Sequence, residues 1–237
     1  MFHATRSGST VLARMLGPHS QLRWGNELFS RVESTIPGFR PTPRWVRSVI
    51  EAAVHAQRCS YFGFETIVTQ FGTHCISLTI AEYVSLLREL GFGHFIVLTR
   101  TNLLRIVVSA IVATRSRTWH TASAPSAPTR VTIDPRQPYG PWAGSLTEIL
   151  EYYQNFYAEF DVPLAETERL DLNYEADVEG DPAVGYLKIC RFLDIEPEPR
   201  DIPLGRTNPF SIEEMVVNYA EVTDALRGTR FEWMLTD

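Results

Sequence analysis

Short apolar runs alternate along the chain with stretches of helical spacing. Met1 to Thr5 is mostly apolar and breaks at Arg6-Ser7-Gly8-Ser9-Thr10, after which Val11, Leu12, Met15 and Leu16 recur on one helical face. The pattern predicts a strand, a small-residue turn and a helix. Pro43 to Arg58 reads as a helix with Trp45, Val46, Val49, Ile50 and Val54 on one side, Tyr61 to Val68 as a strand, and Leu78 to Leu90 as a helix. His94 to Thr99 is almost continuously apolar, as expected of a strand buried on both faces, and a helix follows from Asn102 to about Ser116.

From Trp119 to Gly144 the periodicity dissolves into Ser, Ala, Thr and Pro, which predicts a long loop or lid over 119–144. Helical spacing returns at Leu146 to Phe160, a strand is expected at Arg169 to Asn173 and a helix at Pro182 to Leu193. A last helix is expected from Ser211 to Leu226, with Ile212, Met215, Val216, Tyr219 and Val222 on one stripe. Strands alternating with helices predict one α/β domain over 1–237, with a central parallel sheet flanked by helices.

Composition narrows the functional classes. The 237 residues are 44% apolar and 21% charged, enough for one sizeable core. No run approaches the ~18 apolar residues of a membrane span, and His3, Thr5, Arg6 and Ser7 stand where a secretory leader would be apolar. A cytoplasmic protein is the expectation. Cys59, Cys75 and Cys190 lack the spacing of a zinc site or a disulfide framework, so no metal is expected. A net charge of -6 argues against nucleic acid as a partner but is compatible with a small anionic ligand. Lys188 is the lone lysine among 22 basic residues, and no Gly-Lys pair exists, which excludes a Walker-type phosphate loop.

The turn Arg6-Ser7-Gly8-Ser9-Thr10 directs backbone N–H groups and the positive end of a helix dipole at one place, as a phosphate site requires. Gly8 permits close approach, the hydroxyls of Ser7, Ser9 and Thr10 add donors, and Arg6 adds a permanent charge. The same residues also suit a plain helix cap. Arg100 ends a buried strand at the edge where open α/β sheets bind ligands, and Ser109 follows about two and a half helical turns later. A surface arginine and a serine bonded back into its helix are the alternative. Arg105 is expected to be a solvated or paired surface charge.

The run Arg6 to Thr10, followed by Arg14-Met15-Leu16, His19, Arg23, Gly25 and Glu27, resembles the opening of sulfotransferases that use 3'-phosphoadenosine 5'-phosphosulfate (PAPS), with spacing like the tyrosylprotein branch. Leu98-Thr99-Arg100 to Ser109 resembles that family's 3'-phosphate strand and helix. Asn173-Tyr174-Glu175, the segment Ile189 to Ile195, Arg206-Thr207-Asn208-Pro209 and Gly228 to Glu232 continue the likeness. It covers most of the chain apart from Gly38 to Arg58 and Trp119 to Gly144. The resemblance implies a P-loop-like fold, PAPS as sulfuryl donor, adenosine 3',5'-bisphosphate (PAP) as product and no metal; the acceptor is expected to be a hydroxyl, of a small molecule or another acceptor, whose identity the resemblance leaves open.

By the same resemblance Ser7, Gly8, Ser9 and Thr10 hold the 5'-phosphosulfate, Arg100 and Ser109 the 3'-phosphate, and Arg6 stabilises the charge on the leaving oxygen. Arg100 and Ser109 lie nine positions apart, where many members show eight. Glu27 follows Arg6 at the interval of the tyrosylprotein base, and an acid on an exposed turn is its plain alternative. His120 beside the lid and Glu65 in a strand are rival bases, while His19 suits a helix-end contact. Tyr174 is expected near the nucleotide, and Arg206 with Asn208 in the 3'-phosphate pocket. A P-loop kinase and a PAPS- or PAP-binding module without catalysis are the alternative functions.

Overall fold

The computed structural model describes residues 1–29, 39, 41–56, 59–71, 76–119, 125–138, 144–198 and 208–236. The chain forms two compact units, Met1–Thr99 with Tyr157–Ile202, and Arg100–Phe156 with Pro203–Asp237.

The first unit holds the sheet. Its five strands are β1 (Phe2–His3), β2 (Leu22–Glu27), β3 (Tyr61–Ile67), β4 (His94–Thr99) and β5 (Glu168–Asn173). They run parallel in the order β2-β3-β1-β4-β5. The chain leaves β1 toward one edge and returns across it to reach β4, so β1 lies where the winding changes direction. In open α/β sheets the crevice at the carboxyl end of such a strand is the ligand-binding position.

Side chains alternate between the two faces of this sheet. Leu22, Trp24, Ile96, Leu98 and Leu172 form a core with α1 (Ser9–Leu16) and α7 (Pro182–Phe192). The other face carries Phe2 and Thr66 against Tyr83 of α3 (Ile80–Glu89), through a ring contact and a hydroxyl hydrogen bond of 3.1 Å. α2 (Pro43–His55) starts where expected: the Thr42 hydroxyl accepts from the Trp45 N–H, and proline occupies the first turn. The short α6 (Tyr174–Asp177) follows β5 directly.

The second unit is built around α4 (Leu103–Ser116), in which every residue from Leu103 to Ala110 is buried. Asn102 caps it and also donates to the Met234 carbonyl at 2.9 Å. Arg105 corrects the expectation of a surface charge. It is only 8% exposed and its guanidinium donates to the Phe210 carbonyl. α5 (Leu146–Ala158) begins in this unit.

Two further expectations are corrected. The single helix predicted from Ser211 to Leu226 is broken into α8 (Ile212–Met215) and α9 (Tyr219–Leu226). The break is caused by a distant partner: Val131 N–H donates to Met215 O and Val131 O accepts from Val217 N–H, each at 2.8 Å. Asn218 adds a clasp, accepting from Ile133 N–H at 3.0 Å and donating to Ile133 O at 2.7 Å. The stretch read as a lid therefore contributes Val131 and Ile133, both buried, to the core of this unit. The second correction is β2, which periodicity did not mark as a strand.

Candidate active site

The small-residue turn follows β1 immediately and takes a left-handed backbone twice, at Arg6 (φ 62°) and Gly8 (φ 86°). This curls the chain so that α1 starts at Ser9 with Gly8 as its cap, a residue with no side chain to accept from the first-turn N–H groups. A helix start of this kind can offer N–H groups to an anion. Gly8 is required sterically as well, because a Cβ would stand 2.7 Å from the Tyr174 ring and 2.9 Å from Val178. Tyr174 thus packs against the turn.

The loop hydroxyls differ in what they offer. Ser7 is wholly buried and its hydroxyl donates to Ala4 O at 2.7 Å, while the Ser9 hydroxyl bonds inward to Glu65. Both hydroxyls are thus engaged within the protein. Thr10 is half-buried, as is Arg6.

Beside the turn the sheet carries an acidic cluster. Glu65 on β3 pairs in register with Glu27 on β2, and a register shift lies between Trp24 and Glu27. Asn26 takes φ 52° within that irregularity. A bulge of this kind moves a side chain onto the other face, and here it places Glu27 on the face of Glu65 and His3. The ligand atoms of His3, Glu27 and Glu65 all lie within 4.8 Å of one another.

Glu65 is 3% exposed and ringed by donors. Trp24 Nε1 donates to its Oε1 at 3.0 Å, and His3 Nε2 faces its Oε2 at 3.1 Å as an ion-pair contact rather than an aligned hydrogen bond. Trp24 reaches this position because Gly63 beneath it has no side chain: a Cβ there would stand 2.5 Å from the indole. Burial pushes the Glu65 carboxyl up, but contact with His3 and hydrogen bonds from Trp24 and Ser9 outweigh it and hold the group below its ordinary value. Glu27 shows the opposite result. Burial raises its carboxyl, His3 pulls it back and Glu65 adds to the rise, leaving it above the ordinary value. A half-buried carboxylate of this kind, beside an anion-binding turn, suits proton abstraction.

The second unit brings two of the expected residues together. Asn208 Nδ2 donates to the Ser109 hydroxyl at 2.8 Å, and Ser109 is buried. Arg100 is half-buried and directly follows β4 in sequence. His120 and Arg206 lie outside the described residues. His19 is a structural contact, with Nε2 3.0 Å from Glu196 O and Nδ1 accepting from Gln21 N–H. A cavity of about 540 Å³ opens toward the amino-terminal ends of the strands among Tyr61, Phe62, Phe92 and His94, and Trp24 contributes to its lining.

No family model and no curated protein matches this sequence. Among solved structures, a sulfotransferase from Alicyclobacillus acidocaldarius resembles it with a TM-score of 0.54 at 13% identity, over 94% of this chain and 89% of that one. The fold is that of a sulfotransferase. Among the described residues no helix is long and apolar enough to cross a membrane.

Sequence reasoning singled out Glu27 and Glu65 but missed His3 and Trp24, which complete the cluster. Their only sequence signal is a histidine closing a buried strand and a tryptophan before the Gly-Asn pair of a bulge.

Proposed function

We propose that this chain is a PAPS-dependent sulfotransferase acting on a hydroxyl acceptor, with Glu27 as general base and Arg6 as the charge that meets the leaving group. The observation that carries the reading is the half-buried Glu27 carboxylate, raised above its ordinary value, on the sheet face beside the glycine-capped turn after β1 in a sulfotransferase fold.

The turn suits the donor's phosphosulfate: Gly8 lets the chain curl tightly against Tyr174 and caps α1 without a side chain, and Arg6 adds charge. Arg100, Ser109 and Asn208 are assigned to the 3'-phosphate by the family resemblance, and Tyr174 supports the turn from behind Gly8. PAPS supplies a sulfuryl group whose sulfur is open to in-line attack. Glu27 takes the proton of the acceptor hydroxyl as its oxygen bonds to sulfur. The bridging S–O bond breaks, and Arg6 with the turn's N–H groups meets the electron pair left on the PAP phosphate. Arginine acts here by charge and hydrogen bonding, since it does not give up a proton at neutral pH.

The test is transfer of ³⁵S from labelled PAPS to a panel of phenols, sugars, lipids and tyrosine peptides, alongside calorimetry with PAP. Labelled product with PAP binding is expected. Tight PAP binding with no transfer to any acceptor would instead indicate a binding module, and turnover of ATP with magnesium in place of PAPS a kinase.

A further inference from the structure

His3 is buried to 99%, its exposure being 1%, and the proposed reaction does not use it. Its Nδ1 lies 2.9 Å from the Ala4 carbonyl, which can only accept, so Nδ1 carries a hydrogen. Its Nε2 faces a carboxylate oxygen of Glu65 at 3.1 Å. The arrangement is a buried imidazole held against a buried carboxylate, with Glu27 as the third member within 4.8 Å. A second carboxylate that close to Glu65 is repelled by it, and positive charge on the His3 ring offsets that repulsion.

We propose that His3 and Glu65 are positioning residues that set the ionisation of Glu27, His3 keeping it charged and Glu65 keeping it basic. The proposal rests on the reading of Glu27 as the base. Both residues are almost wholly buried. Their charges reach Glu27 from separate strands, His3 from β1 and Glu65 from β3. Trp24 on β2 and Ser9 at the start of α1 contribute only neutral donors, both to Glu65. The buried Met1 amino group, lowered by burial to about 5, also feels the Glu65 charge, and Arg6, in the adjoining turn, and Arg23, exposed on β2, are cations near the cluster along the sequence.

A purely structural pair and a charge-setting pair make different predictions. Losing a structural contact loosens the cluster in the same way whichever partner is removed. Losing a charge moves Glu27 in a direction given by that charge. His3→Gln leaves two adjacent carboxylates, so Glu27 must titrate at higher pH. Glu65→Gln removes the repelling anion, so Glu27 must titrate at lower pH. Each shift should be about one pH unit or more, the usual effect of a charge within ~4–6 Å.

The experiment is a ¹³C NMR titration of the whole chain labelled at the glutamate side-chain carboxyl, with Glu27→Gln assigning the resonance. Opposite shifts in His3→Gln and Glu65→Gln, with the double variant between them, are expected. Shifts in one direction, or none, overturn the proposal. If His3→Gln does not fold, Glu65→Gln and the double variant decide, because the double variant must titrate above Glu65→Gln. The readout needs no acceptor and no PAPS. Opposite shifts in a protein that fails the labelled-transfer test would sink the proposed function while leaving this inference intact, and active enzyme without opposite shifts would do the reverse.

Discussion

The ring of Tyr174 occupies the space a side chain on Gly8 would need, with Cδ2 only 2.7 Å from the Cβ position. The corner after β5 thereby presses on the turn after β1. Gly8→Ala meets this clash and a φ of 86° together, and should lose about 1–3 kcal/mol in chemical denaturation. Adding Tyr174→Ala should recover only the steric share. Full recovery would show that the backbone conformation carries no cost.

Arg6 also adopts a left-handed backbone, which disfavours any residue with a Cβ by about 1 kcal/mol. Arg6→Gly should therefore leave stability within about 1 kcal/mol of the parent, while kcat for sulfuryl transfer falls by ~10²-fold or more. Near-normal turnover would remove Arg6 from the chemistry.

Glu27→Gln separates function from stability. Because the folded state raises this carboxyl, its favourable protonated form is fully populated below the unfolded value and is lost as pH rises through the folded one. Glu27→Gln should match the parent in Tm in acid and exceed it once pH has risen through the raised carboxyl's titration, with a constant difference above it. Transfer should be lost with PAP affinity retained. A Tm difference independent of pH would contradict the raised carboxyl.

Glu65 titrates in the opposite sense. Its folded value is lowered, so its contribution is present above the unfolded value and is lost as pH falls through the folded one. Melting curves across the acid range should show a shallower decline for Glu65→Gln than for the parent, although the variant starts from a lower Tm at neutral pH.

In the second unit, Asn218→Ala removes both bonds to Ile133 and should cost about 1–3 kcal/mol by leaving a buried N–H unsatisfied. Amide exchange at Ile133 and Val131 should accelerate before exchange in α4. Equal acceleration everywhere would mean that the clasp opens only with the whole unit.

The order of strands and helices was legible because it rests on local periodicity. Phe95 to Leu98 is apolar throughout because it is buried on both faces, and the stripe of α1 matches the core it enters. β2 was not legible: Arg23, Gly25 and Asn26 give it little strand character, and it is held by pairing with β3. The breadth of the last apolar stripe likewise concealed a break, since a partner about eighty residues upstream captures Val216 and Val217.

The sequence by itself determined a parallel α/β architecture and the strand-turn-helix corner at Arg6 to Thr10, since both follow from neighbours along the chain. Tertiary structure alone decided what stands beside that turn. His3, Trp24, Glu27 and Glu65 come from three strands, and the bulge after Trp24 selects the face that Glu27 joins. Their opposed ionisation depends on distances of a few ångströms between segments remote in sequence. Coulomb and hydrogen-bond energies depend on those distances, and only the folded sheet sets them.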